Sequence, residues 1–182
     1  MDTKELEANI RRMEQAIRSL GQSILNMRQS IERCYREAAM AEKRAESILA
    51  RASYEEDPSY VTAMYEKASL YMNQSASYMQ QAENMQSQVD AMVPQLRGYI
   101  PIYREYMQEG QNNLADLNIG AEHLMKLSSQ QYGATKIKEA LQMTRHRITY
   151  NQNLVKGCSD RIRWIEQICG SSGDSYVKVK RR

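Results

Sequence analysis

From Leu6 to Ala52 the apolar residues fall at alternating steps of three and four, without one miss. In heptad terms, position a holds Ile10, Ile17, Ile24 and Ile31, followed by Ala38, Ala45 and Ala52. Position d holds Leu6, Met13, Leu20, Met27, Cys34, Ala41 and Ile48. A stripe that keeps this period for so long requires a helix, and the helix requires a cover for the stripe. Asp2 and Glu5 can form a capping box at its start. The stretch "YEEDPSY" ends it, with Pro58 placed at the first position of the next helix.

A second register runs from Val61 through Met64, Ala68, Tyr71, Ser75 and Tyr78, then on through Met92, Leu96 and Tyr99 to Tyr106. A flanking column adds Tyr65, Met72, Met79, Val93, Ile100 and Met107 at steps of seven or fourteen. Two adjacent apolar columns make a face wider than a two-stranded seam, and such a face expects two neighbours. Gly110 and "QNN" are read as closing this leg, with Asn113 capping the next. The third leg begins with a short helix ending near "SSQQYG". A longer helix follows from Thr135, carries Ile148, Asn151, Val155, Cys158, Ile162 and Ile165 in register, and ends at Gly170.

The expected fold is all-α: an elongated, antiparallel, coiled-coil-like three-helix bundle over residues 1–170, with legs at about 3–53, 58–110 and 112–169. Each leg would be roughly 75 Å long at 1.5 Å per residue. Residues 171–182 read as a disordered basic tail. Gly21, Pro94, Gly98, Pro101 and Gly133 would fall at one height in this folding, so a kink or hinge layer is expected there. Helix 2 and the third leg would each be bent or broken.

Composition agrees with helix throughout. Ala, Glu, Gln and Arg are abundant, there is no Phe, and three Pro serve 182 residues. The 25 basic and 22 acidic side chains nearly balance, so net charge demands neither nucleic acid nor a membrane surface. Their placement is uneven. Residues 54–110 carry three basic and eight acidic side chains, whereas 111–182 carry twelve basic and six acidic. That asymmetry reads either as an anion-binding footprint or as helices pairing electrostatically inside the bundle, and the second reading is adopted.

No window is apolar enough for a membrane span, and "MDTKELEANI" is no secretory leader. Cys34, Cys158 and Cys169 form no C-x-x-C pair and read as buried reduced thiols, consistent with a cytoplasmic chain. His123 and His146 lie apart with no acidic partners at ligand spacing, and no phosphate-cradling glycine motif occurs. Catalytic residues, metal ligands and cofactors are therefore expected to be none.

The single tryptophan sits in "RIRWIEQI". Trp164 with Arg161 and Arg163 is a candidate partner contact, as are the ring-bearing Tyr99, Tyr103 and Tyr106. The leading expectation is a non-enzymatic scaffold, adaptor or chaperone-like module that contacts protein partners, with a homodimer among them. A signal-less helical chain rich in Ala, Gln, Ser and Met also resembles, in composition, the WXG- and LXG-type substrates of type VII secretion. That likeness implies export without a cleavable signal. Trp164 is followed by Ile165 and Glu166 rather than by the W-x-G turn. A third reading is a BAR-like membrane-surface binder built from proline-kinked helices.

Overall fold

The alternating stripe does become one helix. In the computed structural model, which describes residues 3–129 and 134–170, α1 (Thr3–Ala52) runs without interruption. It contains no proline, Glu5 lies in its first turn and Arg51 in its last, and both charges suit the helix dipole. Glu-to-Arg pairs four residues apart recur along it: Glu7–Arg11, Glu14–Arg18 at 2.9 Å and Glu32–Arg36 at 3.9 Å. In each the carboxylate precedes the guanidinium, which is the better order along a helix.

The chain leaves α1 through a tight turn in which the Tyr54 and Glu55 amides donate to the Arg51 and Ala52 carbonyls at 3.1 and 3.3 Å. Asp57 then caps α2 (Pro58–Arg97) by accepting from the Ser59 amide at 2.9 Å and the Ser59 hydroxyl at 2.6 Å. Those bonds hold the Asp57 carboxyl below its ordinary range. Pro58 occupies the first helical position, where its missing amide costs nothing. α3 (Tyr99–Ser128) and α4 (Ala134–Gly170) complete the fold. No strand occurs among the described residues.

One boundary differs from the expectation. The reversal read at Gly110 and "QNN" is absent, because α3 passes straight through it. Gly110 has a packing role instead: a Cβ there would stand 2.8 Å from Val155 Cγ2 and 3.8 Å from Leu6 Cδ2. The side chains that looked like turn formers are satisfied along the helix, with Gln108 donating to Asn112 at 3.1 Å. The chain reverses after Ser128, so the second and third legs do not end and begin at 110 and 112. Gly133 and the tail 171–182 lie outside the described residues.

The chain divides into two compact units, one of them Gln22–Val93 and the other built from the residues before and after it. The unit 22–93 is an antiparallel helical hairpin. Its seam is made of small side chains, with Ala38, Ala41 and Ala45 of α1 buried and Ala68, Ser75 and Ala82 of α2 buried. The Ser75 hydroxyl donates to Glu42 at 3.0 Å, and the Arg44 guanidinium lies 5.8 Å above the Tyr71 ring. These contacts set the level of one helix against the other.

In the second unit the first turns of α1 run parallel to α4, and α3 runs antiparallel to α4. Asn151, fully buried, donates to the Thr3 hydroxyl at 3.1 Å and to the Arg147 carbonyl at 3.0 Å. Further along, Glu14 meets Arg161 and Gly21 meets Trp164. Leu6 and Ile17 of α1, Ile100 and Tyr103 of α3, Ile162 and Ile165 of α4, and Leu96 at the end of α2 are all buried. Arg104 of α3 reaches Glu166 of α4 at 3.8 Å on the surface.

Candidate interaction surfaces

Three of the six residues singled out from the sequence come together in the second unit. Arg161 stands with its guanidinium 5.2 Å over the Trp164 ring and also pairs with Glu14. Glu14 accepts from Arg18 as well, at 2.9 Å. Burial raises the Glu14 value, but the hydrogen bonds from Arg18 and Arg161 outweigh it and hold the carboxyl below its ordinary range. Tyr103 is only 1% exposed, and its buried hydroxyl has no hydrogen-bond partner. Burial pushes its value up, with Arg161 opposing the rise and Glu14 adding to it.

Beside them Cys158 is buried, and burial pushes its thiol up to about 11. A cavity of about 470 Å³ opens over this cluster, between Ile10 and Glu14 on one side and Leu154, Gly157 and Trp164 on the other. Neither the protonated thiol nor the neutral phenol is a nucleophile at neutral pH. The arrangement ties α1 to α4 through Glu14 and Arg161 and through Gly21 and Trp164.

The remaining three stand apart from that cluster. Arg163 points into solvent toward Asp160 at 3.5 Å. Tyr99 and Tyr106 are half-buried along α3.

The residues expected to form a hinge layer play different local parts. Gly21 lies inside the continuous α1, where a Cβ would stand 2.9 Å from Trp164 Cζ3 and nearer still to Cη2. Pro94 lies inside α2, three residues short of its end. Gly98 joins α2 to α3 with φ −59° and ψ −18°, a right-handed helical conformation, and donates to the Pro94 carbonyl at 2.9 Å. Pro101 falls in the first turn of α3, where an amide would have no intrahelical acceptor.

Among the described residues no group of three or more His, Cys, Asp or Glu is arranged to hold a metal ion. His123 and His146 are exposed on different helices. The three cysteines are buried free thiols. Among the described residues no helix is long and apolar enough to cross a membrane.

The hairpin 22–93 carries a second surface, and the heptad letters locate it. In α2, Ala68, Ser75, Ala82 and Val89 take position a, so Tyr65, Met72, Met79, Gln86 and Val93 take position e. In an antiparallel pair, position e of one helix borders position e of the other, and g borders g. Both interhelix contacts obey this rule: Glu42, an e residue, meets the a residue Ser75, while Arg44, a g residue, meets the d residue Tyr71.

The two flanks of the hairpin differ sharply. The g flank is polar, with Ser23, Ser30 and Glu37 from α1 and Gln74, Gln81 and Gln88 from α2. The e flank is apolar. Leu49 and Tyr35 from α1 lie beside Tyr65, Met72, Met79 and Val93 from α2, and only Arg28, Glu42 and Gln86 interrupt them. Tyr65 is 55% exposed, Met72 48% and Leu49 37%.

The Tyr65–Met72–Met79 column is visible in the sequence, but its period alone cannot say whether a third helix of the same chain covers it. The sequence reading also passed over Tyr35 and Leu49, because neither is on the α1 seam. Their signal was the e-position recurrence at a step of fourteen. Compared with protein-family models, with curated proteins and with solved structures, the chain matches none.

Proposed function

We propose that the chain is a non-enzymatic helical interaction module that holds protein partners on the e flank of its hairpin 22–93. The observation that carries this reading is the difference between the two flanks of one hairpin. Solvent exposure alone gives no reason for tyrosine, methionine and leucine to gather on one side while glutamine and serine fill the other. Methionine and tyrosine also suit such a surface, since thioethers adapt to many shapes and tyrosine adds area at little cost in entropy.

The test is affinity purification from the native source with wild type and Met72→Lys, followed by mass spectrometry. The reading expects proteins recovered with wild type and lost with the variant, at unchanged helicity. Recovery of the same set by both proteins refutes it.

A further inference from the structure

One polar atom of the second unit is left over. The Tyr103 side chain is only 1% exposed, and its hydroxyl has no hydrogen-bond partner, although Arg161 and Glu14 both lie near enough to act on it. A guanidinium can only donate, so Arg161 offers nothing to the phenolic proton. Glu14 is engaged by Arg161 and by Arg18. A buried donor without an acceptor is costly, and each such group calls for a reason.

The cavity that Tyr103 lines supplies one. Its volume of about 470 Å³ falls within the roughly 300–1,000 Å³ of small-molecule sites. Ile10 and Glu14 of α1 form one wall, and Leu154, Gly157 and Trp164 of α4 form the other, with the buried Tyr103 of α3 at the inner end. The charged groups of the lining are already matched. Glu14 pairs with Arg161 and Arg18, and Asp160 faces Arg163 at 3.5 Å. An ion entering would have to break one of these pairs, whereas a neutral molecule would not. Gly157 keeps its wall low: a Cβ there would meet nothing within 4 Å, unlike one at Gly21 or Gly110.

We propose that this cavity binds a small uncharged molecule, apolar over most of its surface, with one ketone- or amide-type oxygen that accepts the Tyr103 proton. Ile10, Leu154 and Trp164 cover the apolar body, and the matched charges exclude ions. The site lies outside the hairpin 22–93 and stands or falls independently of the surface there.

The probe is the neutral naphthyl ketone 6-propionyl-2-dimethylaminonaphthalene, titrated into the full chain and read by energy transfer from Trp164, the one tryptophan. Wild type is expected to show saturable transfer. Gly157→Leu fills the cavity from a good helix former and should weaken binding ~10-fold or more, as overpacking does. Gly120→Leu, at a helical glycine with equally open surroundings but away from the cavity, should leave binding unchanged, as should Met72→Lys on the hairpin. Tyr103→Phe keeps the ring, removes the orphaned hydroxyl and should weaken binding ~3- to 10-fold, the worth of one neutral hydrogen bond. Its melting temperature should be no lower than that of wild type, which a merely structural hydroxyl would not allow.

Unlabelled 2-acetonaphthone should displace the probe, and 2-naphthoate and 2-naphthylmethylammonium should not. Absence of transfer in wild type up to the solubility limit of the probe overturns the proposal. So does binding indifferent to Gly157→Leu, binding indifferent to Tyr103→Phe, or better displacement by either ion than by the ketone. None of these results touches the recovery of protein partners through Met72, so the two readings fail separately.

Discussion

Trp164 and Gly21 define each other. The indole lies so close to α1 that position 21 has no room for a methyl group, and the helix gives up propensity there to admit the ring. Gly21→Ala improves the local helix but forces the rigid indole outward, so a net loss of about 1–3 kcal/mol is expected in urea unfolding. The same substitution should shift Trp164 fluorescence, an unambiguous signal because the chain has one tryptophan. Unchanged emission would place the ring elsewhere.

Cys158 gives a second single-residue prediction. Its thiol rises from an ordinary 9.0 to about 11 in the folded chain, so the unfolded chain loses the proton first as pH rises. The contribution of this group is full below pH 9.0 and declines as pH rises to about 11. Tyr103, also raised by burial, acts in the same direction above the ordinary phenol value. Thermal unfolding between neutral pH and pH 10.5 should therefore show a falling midpoint, less steep in Cys158→Ala. An identical slope in that variant would remove Cys158 from the account.

Helices read from a sequence are only as good as the meaning given to each glycine and proline. α1 was legible in full, because thirteen successive steps of three or four admit no other structure. The α2 start was legible from Asp57 and Pro58, which are a cap and a first-position proline by chemistry alone. Gly110 misled, since a glycine that lets Val155 and Leu6 approach looks in one dimension like a glycine that ends a helix. Of the candidate contacts, Trp164, Arg161 and Tyr103 converge, but their convergence depends on how α4 lies on α1, which no local pattern encodes.

Asn151 fixes that docking. It is fully buried at a seam position and is bonded to Thr3 and to the Arg147 carbonyl. A single polar residue at such a position sets register at some cost in stability. Asn151→Ala should leave the Thr3 hydroxyl without this partner and lower stability by about 1–3 kcal/mol in chemical unfolding. Thr3→Val in the Asn151→Ala background should then cost little more, because the pair acts as one. Full additivity of the two substitutions would show that they do not interact.

The two units differ in what they bury, and that difference predicts where the protein opens first. Between 151 and 168 the buried side chains include Ile162, Ile165 and Ile168, packed among three helices. Along the hairpin, from Ala38 to Ala52 and from Ala68 to Ala82, the buried seam is mainly alanine between two helices. Each buried methylene is worth roughly 0.8 kcal/mol, so an isoleucine layer outweighs an alanine layer by more than a kcal/mol. Local opening free energy follows such burial. In hydrogen exchange read by mass spectrometry, peptides from 38–52 and 68–82 should exchange before those from 155–168. Equal protection in both units would mean that the alanine seam is stabilised by something other than its own packing.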